Sequence, residues 1–549
     1  MQNYPVWSAR AALLAFCLFW ATTVFSQVVN FTNSTLPILV INTNGQPVPD
    51  EPKINATLGV IDKGPGQINF ISDPFNGYNG PIGIELRGSS SQFYDKKPYS
   101  IELRDANGED FNAPLLGMPA ESDWALISPL NDKTLMRDAL AHAFARQTLP
   151  WSPRTRYCEV VLNGNYIGVY LLVETIKRDN NRVDIKKLEP QDTVGNDLTG
   201  GYILRMDKYG PTPGSVGGDW KSGYPPMPGA WQETWFQYFR PEADELHPKQ
   251  AAYIRNHINA FELMLKSPNF STEYDQWIDK DSWADYLLIN ELTKNTDGYR
   301  LSAYFYKDRD DVSPLLQMGP IWDYNIAFGI GDYCDGQLWT GWAKDFNSVC
   351  PGDSWIIHFW WERLWQEPTF RRHIKERWQT LRAGPWSNQR LFGAIDSLQN
   401  LLNVPQQRNF QRWPVLGTYV WPNAFIGNNY QQEVDYLEFW LANRLGWLDA
   451  QIATLYTKPE AEPGNIKTYP NPARDFLIFE TGVSDDPYTV SLYTPDGKRV
   501  LEQQITADQE GLLRLEWPAD GLSSGIYTAR LMHGEKRVLT VKVMVRGWR

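Results

Sequence analysis

Two short stretches of the chain carry residues that could do chemistry together: "KNTDGYR" at 294–300 and "GPIWDYNIAFG" at 319–329. Each centres on an aspartate, Asp297 and Asp323, set among Asn, Gly and aromatic residues. Such residues form turns for conformational reasons alone, so either aspartate, taken singly, reads equally as a solvated turn residue. As a pair brought together by the fold, they suit Mg²⁺, which takes one or two protein carboxylates and fills its shell with water and phosphate. Asn295 offers a further oxygen. Phosphoryl transfer uses this arrangement, with a metal to neutralise phosphate and a carboxylate to orient or deprotonate the attacking hydroxyl. The same two carboxylates could serve as acid and base in a glycoside hydrolase, given a sugar cleft between them.

Upstream, "ELRGSSSQFYDKKPYSIEL" (85–103) adds groups that favour an anion. The small residues Gly88, Ser89, Ser90 and Ser91 let backbone amides approach a phosphate. Lys96 and Lys97 open the next strand, where a lysine can reach nucleotide phosphates. The bland alternative is a serine-rich hairpin loop with two surface lysines. Glu174, near the end of "GVYLLVETIK", could pair with such a lysine, face a nucleotide sugar, or stand exposed. Arg137 could form a salt bridge or touch phosphate, but as an isolated arginine it reads first as a solvated surface residue.

The elements that must position these groups follow from periodicity. Asp297 comes directly after the amphipathic "DSWADYLLINELTKN", with Asp281 or Ser282 as its cap. Asp323 follows the strand-like "PLLQMGPIW". Residues 27–210 read as strands with one helix over 132–149, apolar at 135, 139, 140, 143 and 144. Asn163-Gly164-Asn165 is a hairpin signal. Helical periodicity takes over from about 247, and again from 354 to 457 with an interruption at Pro368. Among the 24 tryptophans, the dense run at 355–365 has core spacing; exposed, it would instead be a binding surface.

At 549 residues the chain is too long for one core. Its net charge of -12 argues against a general nucleic-acid binder. Residues 1–26 have the basic start and apolar run of a signal peptide, and no later stretch is apolar enough to span a membrane. Beyond the signal, Cys334 and Cys350 flank a loop and could pair in an oxidising compartment, whereas Cys158 reads as a buried thiol. The six histidines lack metal-ligand spacing. Residues 458–467 form a linker, and short β runs with turns beyond it suggest a small sandwich.

In their order, "RGSSSQFYDKKPYSIEL", "SPLNDKTLMRDALAHAFAR", "RYCEVVLNGNYIGVYLLVETIK", "NELTKNTDGYR" and "GPIWDYNIAFG" resemble the CotH kinase family of atypical kinases. The resemblance implies an α+β, protein-kinase-like body at 27–457, mainly β in its N-terminal part and mainly helical in its C-terminal part, with the motifs at 80–335. It implies ATP- and Mg²⁺-dependent phosphorylation of protein Ser or Thr. Asp297 would be the catalytic-loop aspartate and Asp323 the metal-binding one, with Asn295 and Asn325 as further metal ligands. Lys97, nearer the strand than Lys96, would be the phosphate lysine, with Ser89, Ser90 and Glu174 also at the nucleotide. One position departs: the family often has a second aspartate two residues after the first, where this chain has Asn325. The tail at 468–549, with "KTYPNPARDFLIFE", "VSLYTPDGKRV" and "GLSSGIYTARLMHGEKRVLTVKVMV", resembles the C-terminal sorting domain of type IX secretion in Bacteroidota. That implies passage through the type IX machinery to the outer surface or medium. The alternative to a live kinase is a kinase-fold surface protein that binds glycan, matrix or host protein.

Overall fold

Alternating apolar residues on seven strands close a barrel in the N-terminal part of the chain. The computed structural model describes residues 28–208, 219–456, 466–481, 486–508, 511–517, 521–534 and 536–546. The expected signal peptide lies outside them, as does most of the expected linker. The chain divides into two units, Met1–Ala453 and Thr454–Arg549.

In the barrel, Thr155–Leu162 pairs with Asn165–Glu174, followed in order by Asp123–Ile127, Tyr99–Leu103, Asn79–Leu86, Ile54–Ile61 and Ile38–Asn42. These contacts are antiparallel; closure comes from a parallel pairing of Ile38–Asn42 with Thr155–Leu162, Glu159 opposite Ile38. Inward residues such as Leu39, Leu58, Ile84, Ile101, Trp124 and Leu172 fill one apolar core. Each fully buried side chain of this size contributes roughly 1.5–3 kcal/mol. Cys158 is a buried free thiol in the same core. The hairpin at Asn163-Gly164 forms with both residues at positive φ, 49° and 77°, the backbone that matches strand twist in a two-residue turn.

The helix expected over 132–149 is shorter, Arg137–Ala145. Asp132 explains the late start: its carboxylate accepts the amides of Thr134 and Arg137 and the Thr134 hydroxyl, holding a turn where helix was expected. Arg137 is not on a solvated surface. It is buried, paired with Asp132 at 2.5 Å, and donates to the carbonyl of Ala327.

A second, five-stranded antiparallel sheet runs Trp220–Lys221, Trp235–Arg240, Tyr202–Met206, Ala303–Lys307, Leu316–Met318. Helices pack beside it, of which Lys280–Thr293 is buried on nearly every face. Its cap is Asp279, accepting the Ser282 amide at 2.7 Å, rather than Asp281 or Ser282. Trp283 ties the helix to the sheet by donating to the Leu316 carbonyl. Within 355–365 only Trp360–Trp365 is helical, and Trp360 and Trp361 are buried in an aromatic cluster with Trp283 and Phe261.

The C-terminal unit is all β. A three-stranded sheet (Thr468–Tyr469, Phe476–Glu480, Leu512–Glu516) and a four-stranded sheet (Arg499–Ile505, Tyr488–Tyr493, Gly525–His533, Lys536–Val545) share one core, including Leu477, Phe479, Val490, Leu515 and Val543.

Candidate functional site

A cleft of about 570 Å³ within the first unit is lined by the serine-rich segment Gly88 to Ser91, by Asp297 and Asp323, and by the end of the second sheet. The two aspartates of the sequence motifs therefore face one cavity.

Asp297 is delivered by the left-handed end of the Lys280–Thr293 helix. Lys294 takes φ 44° and turns the chain into 295–300, where Asn295 and Asp297 carbonyls accept the amides of Gly298, Arg300 and Leu301. Gly298 is required by proximity: a Cβ there would overlap Asn290 Oδ1, while its carbonyl accepts the Tyr286 hydroxyl at 2.5 Å. Asp297 pairs with Arg300 at 2.5 Å, and Arg300 also pairs with Asp353 at 3.0 Å. Burial raises the Asp297 carboxyl above the ordinary aspartate range, and Arg300 is the main opposing influence.

Asp323 sits in left-handed backbone, φ 64°, a conformation that aspartate tolerates better than bulkier residues but that needs outside support. Support comes from both flanks. Asp138, on the Arg137–Ala145 helix, accepts the Tyr324 amide at 2.8 Å, and Asn295 donates to the Asp323 carbonyl at 3.2 Å. Tyr324 reaches Asn290, and Phe328 donates to the Thr293 carbonyl. The Asp323 side chain is open to the cleft water yet deep in the protein. Loss of bulk solvent raises its carboxyl, Arg87 lowers it, and Asp207 and Asp297 raise it further. Asp138, buried behind it, is pushed up to about 7, first by burial and then by Asp323.

Of the other expected site residues, Ser89, Ser90 and Asn325 line the cleft. Asn295 does not: its Oδ1 already accepts the Asp297 amide, so it is a strut between the two aspartate loops. The lysines are placed elsewhere. Lys96 is fully buried, donating to the Val169 carbonyl and to Asn409, which clamps the Pro405–Arg412 helix onto the barrel. Lys97 donates to the Gln92 carbonyl at 2.6 Å and borders a separate hollow with Pro47 and Tyr99. Glu174 is buried and paired with Arg154, not with either lysine.

Cations do reach the cleft, from positions the sequence reading passed over: Arg87, Arg205, Lys208 and Arg240. Arg87 lies over the Trp322 ring, 5.1 Å from its centre, and its guanidinium makes no hydrogen bond or ion pair among the described residues. Burial lowers its pKa, opposed chiefly by Asp323. Asp207 adds a third carboxylate. Pairing of Met206 with Ala303 carries it next to Ser302, whose hydroxyl is 3.4 Å away. The sequence signal for both was adjacency: Arg87 directly precedes the Gly88 loop, and Asp207 directly follows a strand.

Among the described residues no group of three or more His, Cys, Asp or Glu is arranged as a metal site. The cleft nevertheless offers hard oxygen donors. Asp323 carries no side-chain hydrogen bond or ion pair among the described residues, and Asn325 keeps its carbonyl oxygen free of hydrogen bonds there while its amide donates to Asn131. The Asp323 carboxylate with the Asn325 carbonyl oxygen fits a small dication that takes few protein oxygens and keeps several waters. The described residues lining the cleft include no His or Cys, the nitrogen and sulfur donors that zinc and copper take.

Comparison with known families matches residues 467–546 to the secretion system C-terminal sorting domain, which marks the protein for secretion or the cell surface. Among the described residues no helix is long and apolar enough to cross a membrane. No curated protein matches the chain. Residues 84–448, more than half of the chain and including the whole cleft, match the model described as CotH kinase protein, and the chain belongs to that family.

Proposed function

We propose that the protein is an exported phosphotransferase of the CotH type, moving the ATP γ-phosphate to Ser or Thr of a secreted or surface protein. The observation that carries this reading is the convergence of Asp297, Asp323 and the Arg87 guanidinium, unpaired among the described residues, on one cleft with the serine-rich lip. Asp297 would orient the acceptor hydroxyl and take its proton, a role that a raised carboxyl pKa favours by strengthening the base. Asp323 and Asn325 would hold Mg²⁺, which when bound neutralises phosphate charge. Arg87 would face the phosphates with a planar, permanently charged fork, in the part expected of Lys97, which borders the other hollow. Ser89 and Ser90 would bring their amides to the same anion.

The test is the mature protein with Mg²⁺ and γ-labelled ATP, beside Asp297→Ala and Asp323→Ala. Label on the protein or an added acceptor, lost in both variants, is the expected result; no nucleotide binding and no transfer by the wild type would overturn the reading. A second reading, a kinase-fold surface binder without catalysis, is favoured by Trp421 at the cleft rim, 48% exposed and stacked on Tyr333, and by the missing charge at Asn325. It predicts glycan or protein binding that survives both aspartate variants.

A further inference from the structure

Behind the Asp297 wall lies a loop closed by a disulfide between Cys334 and Cys350, whose Cα atoms are 5.6 Å apart. The two ends of this loop grip the two ends of the 294–300 segment. Near Cys334, the carbonyls of Asp335, Leu338 and Thr340 accept the buried Lys294 amino group at 2.9, 3.0 and 2.6 Å. Near Cys350, Arg300 lies on the Phe346 ring, 4.1 Å from its centre, and pairs with Asp353, while its other nitrogen holds Asp297. The middle of the loop has an anchor of its own: Glu291 accepts the amides of Ala343 and Lys344. The loop has regular structure only from Ala343 to Val349, and Cys334 and Asp335 both sit at positive φ.

Buried Trp440 and Arg444 also hold the carbonyls of Gln337, Trp339 and Gly341. Opening the disulfide therefore leaves 337–344 attached and loosens the stretches next to Cys334 and Cys350, where Asp335 meets Lys294 and Asp353 meets Arg300. Closing a loop of this size restricts the open chain by an amount worth about 3 kcal/mol. That matches or exceeds the one charge-assisted bond, worth about 1.5–3 kcal/mol, that Asp335 makes to Lys294 next to Cys334.

We propose that the Cys334–Cys350 loop is the positioning device for Asp297, with Lys294, Arg300 and Asp353 as its positioning residues, so that the site assembles only after thiol oxidation. Closure takes two protons and two electrons from the Cys334 and Cys350 thiols. They pass by thiol–disulfide exchange to the disulfide of an oxidant protein, which leaves as a dithiol. The reducing cytoplasm disfavours this and an exported compartment permits it, so a protein carrying a sorting domain would be inactive until it leaves the cytoplasm. The consequence for catalysis rests on the phosphotransferase reading; the brace itself does not.

The experiment uses the full mature chain, oxidised, reduced with a phosphine, and reoxidised, with hydrogen exchange and steady-state phosphorylation measured on each. On reduction, amides of 294–300 should exchange at least about 10-fold faster while barrel strands keep their protection. kcat should fall about 100-fold, as for a displaced catalytic group, with KM for MgATP changed less than about 3-fold and both effects reversed by reoxidation. Lys294→Met, with the disulfide intact, should reproduce the faster exchange and the loss in kcat. Unchanged protection of 294–300 on reduction overturns the proposal, and so does protection lost equally across the barrel. Faster exchange with no transfer in any state upholds the brace and removes the kinase reading instead.

Discussion

The two walls of the cleft are tied down to different degrees. On the aspartate wall, Asp323 is held by the Tyr324 amide donating to Asp138 and by Asn295 donating to the Asp323 carbonyl, and Asp297 sits between Arg300 and the turn of Gly298. On the serine wall, Gly88, Ser89 and Ser90 are exposed, Phe93 is 88% exposed, and the segment is fastened mainly through Lys97 and Gln92 to its own carbonyls and through Tyr94 to Trp421. Groups that must meet a proton or a metal need fixed geometry. Amides that wrap phosphates can settle after the ligand arrives. The two walls should accordingly fail in different ways when altered.

The largest difference is expected in turnover. Asp297→Asn and Asp323→Asn should each lower kcat by about 10³-fold or more, the scale of losing a catalytic group. Ser89→Ala and Ser90→Ala should stay within about 10-fold, since backbone amides survive the change. Equal losses on both walls, in steady-state phosphorylation assays, would erase the distinction.

The cations sharpen it next. Arg87→Met should raise KM for MgATP about 10- to 100-fold, the worth of a charge-assisted hydrogen bond at about 1.5–3 kcal/mol. Lys97→Met should change it less than about 3-fold, because that amine is spent on the Gln92 carbonyl. Nucleotide titration of the two variants side by side would show which basic residue meets the phosphates.

These paired outcomes also mark what could be seen in the sequence. The aspartates were visible because the turn chemistry that places each of them lies within a few residues of it. The Asn163-Gly164 hairpin was visible for the same reason. Lys96 and Lys97 misled because type and proximity say nothing about direction. Lys96 turns inward to reach Asn409, more than three hundred residues away, and no local pattern records that. Asp207 arrives by strand register, through the Met206–Ala303 pairing, and Arg205 comes with it. The disulfide was left open because cysteine spacing does not fix geometry. The resemblance located the cleft; the identity of its cations came from packing.

Stability should separate the walls by smaller amounts. Gly298→Ala forces a methyl group into Asn290, and overpacking of this kind costs about 1–3 kcal/mol. Denaturant unfolding should show that loss together with reduced turnover, since Asp297 moves with Gly298. Lys96→Met leaves the Val169 carbonyl and Asn409 short of a donor, for about 1–2 kcal/mol. Here KM and kcat should hold, because the clamp on the Pro405–Arg412 helix lies outside the cleft. A change in KM for Lys96→Met would return that lysine to the nucleotide.

The smallest effect concerns pH and the helix behind Asp323. His142, on Arg137–Ala145, is buried against Ser152 and meets Trp322 edge-on. Burial holds its pKa down at about 3, with Arg146 adding to the effect. The unfolded chain takes up a proton on this residue near the ordinary value of 6.5, so below that pH the unfolded state binds more protons than the folded one. Stability from this group is therefore complete above about pH 7 and is lost as pH falls through 6.5, by somewhat less than about 1 kcal/mol between pH 7 and pH 6. His142→Gln, which keeps a polar partner for Ser152 but cannot titrate, should flatten that acid limb in unfolding experiments. Because His142 stays neutral in the folded protein across this interval, nucleotide affinity between pH 7 and pH 6 should be the same in the wild type and the variant. An acid limb of equal slope in both proteins would mean that some other buried group, not this helix, sets the response of the aspartate wall to pH.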